Sequence, residues 1–169
     1  MKFTSVSLLA LLAVSSLPAL AIASPEKGLE IAIAADNRDK GFGDTTADMT
    51  MTLTDKYGQS TSRAIRNRTL EGNDEGDKSI VIFDSPGDVR GTAFLSHTKK
   101  TETDDQWLFL PALKRVKRIA SLNKAGPFMG SEFAYEDISS QEVEKYTYNY
   151  LRDETVNGHD CYVIEYDPI

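Results

Sequence analysis

The side chains best suited to catalysis or metal binding are scarce and far apart in this sequence of 169 residues. Its two histidines are His97 and His159, and its one cysteine is Cys161. Zinc sites draw on closely spaced His and Cys ligands, and two histidines 62 positions apart do not supply them. A thiol nucleophile needs a base and an orienting group. His159 lies two residues from Cys161, but no third group accompanies them. Cys161 therefore reads as a small strand residue turned to the interior. Residues Asp36-Asn37-Arg38-Asp39-Lys40-Gly41 begin like a calcium loop, yet its third and fifth positions are Arg38 and Lys40, which cannot be ligands. Neither a G-x-S-x-G turn nor a phosphate-binding loop occurs, and Gly126-Pro127-Phe128-Met129-Gly130 reads as a plain loop. The acidic pairs Asp104-Asp105 and Glu136-Asp137 read as solvated turns. Asn67-Arg68-Thr69 matches a glycosylation sequon, a pattern frequent by chance. No catalytic residue, metal or cofactor is expected, so an enzyme is not expected either.

Three features outlast that survey. Ala47, Met49, Met51 and Leu53 alternate with Asp48, Thr50, Thr52 and Thr54, the period of a half-buried strand. The aromatic run Gln106-Trp107-Leu108-Phe109-Leu110 is a second apolar strand. Plain core packing is one reading of both. The other is an apolar cavity for a ligand, lined by Met49, Met51, Leu53, Trp107 and Phe109. The second feature is the basic run Lys114-Arg115-Val116-Lys117-Arg118. As a strand it puts Arg115 and Lys117 on one side, Lys114 and Arg118 on the other. It reads either as a solvated edge that discourages strand pairing or as a dock for anionic head groups or an acidic partner. The third feature is an acidic C-terminal stretch, with ten Asp and Glu from Glu132 onward against Lys145 and Arg152, which reads as a soluble face.

The elements that must position these residues follow from local signals. Pro25, Glu26 and the apolar faces of Leu29, Ile31, Ala32 and Ile33 predict a helix over residues 25–35. Strands are expected over residues 47–54, 61–71, 79–84, 89–98, 106–110 and 114–119, with a loop or lid over 120–130 and one short helix within 135–144. Two more strands, 145–154 and 160–167, flank Asn157-Gly158, a strong two-residue hairpin signal. In that register Leu151 faces Ile164, and Tyr150 faces Glu165. The fold class expected is mainly β, an antiparallel meander of about eight strands behind an N-terminal helix.

The first residues set the compartment. Met1-Lys2 is a short positive start, residues 6–20 are nearly continuous Leu, Ala, Val and Ser, and small residues follow at Ala19, Ala21 and Ala23. This is a secretory signal pattern over residues 1–23, with cleavage after Ala21 or Ala23. About 15 apolar residues fall short of the roughly 20 a membrane span requires. No cysteine marks that site for a lipid anchor. The expected product, residues 24–169, is one exported domain. Export permits disulfides, but a lone cysteine cannot staple its own chain, so the core must carry stability. A formal charge of −7 argues against nucleic acid as partner.

Four stretches carry a resemblance to a known family. They are Met49-Thr50-Met51-Thr52-Leu53, Ser85-Pro86-Gly87-Asp88-Val89-Arg90-Gly91-Thr92, Gln106-Trp107-Leu108-Phe109-Leu110-Pro111-Ala112-Leu113-Lys114-Arg115-Val116, and Gly130-Ser131-Glu132-Phe133-Ala134-Tyr135-Glu136-Asp137. Together they resemble the outer-membrane lipoprotein-sorting proteins, the LolA-like periplasmic carriers. The resemblance implies a curved antiparallel sheet, an unclosed half-barrel plugged by helices on its concave side. It implies non-catalytic transport of lipid or acylated protein through the periplasm, with acyl chains as ligand and no cofactor. It also suggests a monomer served by an inner-membrane exporter or an outer-membrane acceptor. Members of the family continue beyond the last strand here, so the chain resembles a C-terminally truncated copy. A lipid-sensing accessory subunit of an exporter and a secreted hydrolase are the rival readings.

Overall fold

Ser24 caps the first helix: its hydroxyl accepts the Lys27 backbone N–H at 3.3 Å. Pro25 follows where no N–H is needed, and Glu26 sits at the positive end of the helix dipole. The resulting α1 (Pro25–Asp39) runs about a turn beyond the expected end. In the computed structural model the described residues are 24–72 and 75–169, and the leader expected over residues 1–23 lies outside them.

Six strands then form one antiparallel sheet in strict chain order: β1 (Asp44–Thr54), β2 (Ser60–Leu70), β3 (Lys78–Ser85), β4 (Ala93–His97), β5 (Asp105–Leu110) and β6 (Arg115–Arg118). Registers Met49↔Ile65, Ile65↔Phe83, Val81↔Phe94 and Phe94↔Leu108 carry one face across the sheet. Residues opposite one another in an antiparallel pair point the same way. That face therefore holds the core: Ile65, Val81, Phe83, Phe94 and Leu108, joined by Val89 and Ile119. The fourth strand is shorter than expected. Residues 86–92 are a turn closed by bonds from Val89 N to Pro86 O and Thr92 N to Val89 O, and Val89 is buried inside it.

The segment after β6 covers this face. It has 3-10 turns at Ser121–Asn123, Phe128–Gly130, Glu136–Ile138 and Val143–Lys145, where a single helix was expected in the second half. The physical reason lies in its serines. Ser139 Oγ is 2.8 Å from both Ser96 Oγ and Gln106 Nε2, and Ser140 Oγ donates to Asp77. Such side-chain bonds compete with a helix ladder and peg the segment to the sheet. Phe128, 1% exposed, is the plug itself: its ring meets Phe94 at 5.3 Å, Tyr135 at 5.4 Å and Phe83 at 5.9 Å. Burying one such ring contributes about 1.5–3 kcal/mol.

Strands β7 (Tyr146–Val156) and β8 (His159–Pro168) form a separate two-stranded sheet. Its register follows the Asn157-Gly158 turn as far as Arg152↔Val163, and then a bulge at Leu151 shifts it by one. Tyr150 consequently pairs with Ile164 rather than Glu165. The shift puts Tyr146, Tyr148 and Tyr150 on the same face as Tyr162, Ile164 and Tyr166, where separate faces were expected. Helix α1 crosses β7 closely at Gly28, and Ser24 exchanges backbone bonds with Tyr150 at 3.0 and 3.2 Å.

Candidate functional site

Strand β1 extends the core face past the edge of the plug. Ala47, Met49, Met51 and Leu53 share the side of Ile65, through Met49↔Ile65 and Met51↔Arg63. Thr46, Asp48, Thr50 and Thr52 take the other side, so the alternation read from the sequence is the alternation the sheet displays. Met51 packs against the core and Leu53 is half-buried, whereas Met49 remains 45% exposed. Arg63 Nη1 donates to the Met129 carbonyl at 2.7 Å and pins the plug beside Met51. Met129 is itself half-buried against the core. The result is an open apolar strip, rich in flexible methionine, on the inner face of the sheet.

Trp107 and Phe109 are not on that strip. Leu108 is the inner-facing residue of its pair with Phe94, so its neighbours must face outward. Trp107 opposes Leu95 and Phe109 opposes Ala93 on the outer face, where Ile80 and Ile82 are also half-buried. The five residues expected to line one cavity thus divide three to two across the sheet. Both sides of β5 are apolar, and its aromatic size does not tell which side is inner.

The basic run divides as expected within β6. Arg115 and Lys117 oppose Leu110 and Leu108 on the inner side, and Arg118 opposes Trp107 on the outer. Lys114 precedes the strand in a left-handed turn conformation, φ 48°. Arg118 is paired with Asp105, which Lys99 also reaches at 3.2 Å. These two cations hold the Asp105 carboxyl below the usual carboxylate range.

A polar cleft of about 580 Å³, which the sequence did not reveal, lies at the end of the sheet away from Lys114. Asp36, Asp39, Lys40, Glu71, Asp77 and Glu142 are among its lining residues. Glu71 accepts the backbone N–H groups of Gly41 and Gly43 at 2.6 and 2.7 Å, which hold its carboxyl below its ordinary pKa. Burial, and then the charge of Asp77, raises the pKa of Glu142. No group of three His, Cys, Asp or Glu among the described residues is arranged to hold a metal ion. Cys161 is half-buried, not interior, and its sulfur lies 3.5 Å from the His159 carbonyl rather than beside a base. His97 packs edge-on against Trp107 at 5.1 Å in the six-stranded sheet, whereas Cys161 belongs to the two-stranded one.

Comparison with known proteins bears on this geometry. A family model described as "Uncharacterized protein" matches residues 75–169, more than half of the chain. No curated protein matches. Among solved structures, an outer membrane lipoprotein-sorting protein domain from Vibrio parahaemolyticus is 56% identical, with a TM-score of 0.83 over 86% of this chain and 61% of its own. A DUF1329 family protein from Desulfovibrio piger is 30% identical, with a TM-score of 0.78 over 85% of this chain and 61% of its own. A LolA superfamily protein from Nitrosomonas europaea is 21% identical, with a TM-score of 0.54 over 84% of this chain and 60% of its own. The chain thus spans about three-fifths of the length of these relatives.

An N-terminal helix with an unclosed antiparallel sheet is the LolA-like fold. The chain belongs to the family whose model it matches, and it shares the fold of the lipoprotein-sorting, DUF1329 and LolA superfamily structures it resembles.

Proposed function

We propose that this chain is a non-catalytic periplasmic carrier that shelters an acyl chain, of a lipid or an acylated protein, on the inner face of β1 and β2. The observation that carries this reading is the strip Ala47, Met49, Met51 and Leu53: it continues the core face but stops short of the plug's cover. Burying a methylene is worth about 0.8 kcal/mol, so an apolar strip of this kind holds a hydrocarbon chain without chemistry. Methionine adapts to chains of different length and saturation. The Vibrio parahaemolyticus relative is named for outer membrane lipoprotein sorting, which supports the same substrate class and a path toward the outer membrane. Release requires a partner with a competing apolar surface, an inner-membrane exporter or an outer-membrane acceptor. The carrier works as a monomer, delivered by a leader over residues 1–23 that is cut after Ala21 or Ala23. Among the described residues no helix is long and apolar enough to cross a membrane.

Native mass spectrometry of protein isolated from the periplasm tests this. The reading expects masses of co-purified lipid that detach on activation. Folded protein that carries no lipid, and takes none up from added vesicles, contradicts it. Sequencing the amino terminus of the same material checks the leader; a chain still beginning at Met1 contradicts export by cleavage.

A further inference from the structure

Three connections meet at one end of the six-stranded sheet: residues 55–59, 86–92 and 111–114. The registers Thr54↔Ser60, Ala64↔Ser85, Ala93↔Phe109 and Leu110↔Arg115 put all three at this end, with the 55–59 turn projecting beyond the end of β3. Gly91 lies against Pro111, so close that an added Cβ would come within 3.3 Å of its ring. Their side chains are of two kinds. Tyr57 is 77% exposed and Leu113 63%, and Val116, just inside β6, is 65% exposed. Lys56, Arg90, Lys114, Arg115 and Lys117 are exposed and form no ion pair among the described residues. The same connections carry only two carboxylates, Asp55 and Asp88. Asp55 is occupied within its own turn, where it accepts the N–H groups of Tyr57 and Gln59 at 2.8 and 2.9 Å.

This end is therefore positive on a chain whose formal charge is −7. The opposite end holds the acidic cleft with Asp36, Asp39, Glu71, Asp77 and Glu142. Charge is segregated along the strands. Exposed aromatic and aliphatic side chains among Lys and Arg match a membrane interface, where long basic side chains reach the head groups and apolar tips enter between them. Tyr57 and Leu113 stand on the tips of separate connections, not on the walls of a groove. A fluid lipid surface admits such projections without a complementary pocket, whereas a folded acidic partner would need one.

We propose that this end of the sheet docks on the surface of an anionic lipid bilayer. Leu53 lies two residues from the 55–59 turn, so the apolar strip of β1 opens toward the same surface. The proposal goes beyond the carrier reading and is tested apart from it.

The test is flotation of the full chain with vesicles of phosphatidylcholine alone or with added phosphatidylglycerol, at low and high salt. Expected is partition into the anionic vesicles that high salt weakens, exceeding partition into the zwitterionic ones. Each basic residue near such a surface is worth about fivefold in partition. The triple variant Lys114→Glu, Arg115→Glu, Lys117→Glu should therefore lose about a hundredfold or more. All three positions are exposed, and circular dichroism confirms that the variant folds. Leu113→Ser should weaken binding that persists at high salt. Equal partition into both vesicle types overturns the proposal, as does undiminished binding by the folded triple variant. So does failure of the folded parent to bind anionic vesicles, the outcome an acidic protein partner would give. Uptake of a soluble fatty-acid probe by the triple variant should match the parent, which separates this result from the carrier reading.

Discussion

At position 142 a carboxyl sits where burial and the neighbouring Asp77 both disfavour its charge. Its folded-state value lies above the ordinary 4.5, so the ionised form destabilises the fold at neutral pH. That penalty is relieved as pH falls through the raised value and is gone below the unfolded one. Glu142→Gln should therefore raise the melting temperature at pH 7 and leave it unchanged near pH 4, as thermal melts at the two values would show. A lower melting point for the variant at pH 7 contradicts the assignment. Single residues were unevenly legible in the sequence. The inner face of β1 was readable because its outward positions are Thr and Asp, a contrast that only one register satisfies. Trp107 and Phe109 were not readable, because β5 is an interior strand with apolar groups on both sides. There the period of two no longer separates core from surface.

Two elements are held in place by contacts that single substitutions can break. An added Cβ at Gly28 would stand 2.7 Å from Tyr150 N and 2.8 Å from the Asn149 carbonyl carbon. Backbone cannot yield as a side chain can, so Gly28→Ala should cost about 1–3 kcal/mol by overpacking α1 against β7. Chemical denaturation would show this as a lowered midpoint, and an unchanged midpoint would mean that α1 does not dock there. Phe128→Ala should be more severe, about 3–5 kcal/mol, because it empties a site bounded by Phe83, Phe94 and Tyr135. A loss under 1 kcal/mol would mean that the plug does not close the core. Asn157-Gly158 announced the last hairpin and fixed its register near the turn. The bulge at Leu151 was not announced. Ser24 bonds to both backbone groups of Tyr150 there, and a partner so distant in sequence leaves no local pattern. The plug's serines, pegged to Ser96, Gln106 and Asp77, escaped for the same reason.

For the whole molecule, strand order was legible because the strands pair with their sequence neighbours from β1 to β6. The break between β6 and β7 was less so, since a covering segment and a linking segment have similar composition. Charge segregation was half legible. The basic run was visible in sequence, but its alignment with Lys56 and Arg90 needed the registers. The apolar strip and the positive end meet where β1 turns into β2, which joins the proposed cargo site and the proposed membrane contact in one picture. Its central claim concerns the strip, and the most direct test is titration of a fluorescent fatty acid into the parent and into a Met49→Ser, Met51→Ser variant. Circular dichroism must first show that the variant keeps the parent's fold. The carrier account predicts saturable binding to the parent, weakened at least about tenfold in the variant as two apolar contacts are lost. A folded parent that never binds the probe, or a folded variant that binds it as tightly, contradicts the account and leaves the strip as exposed core.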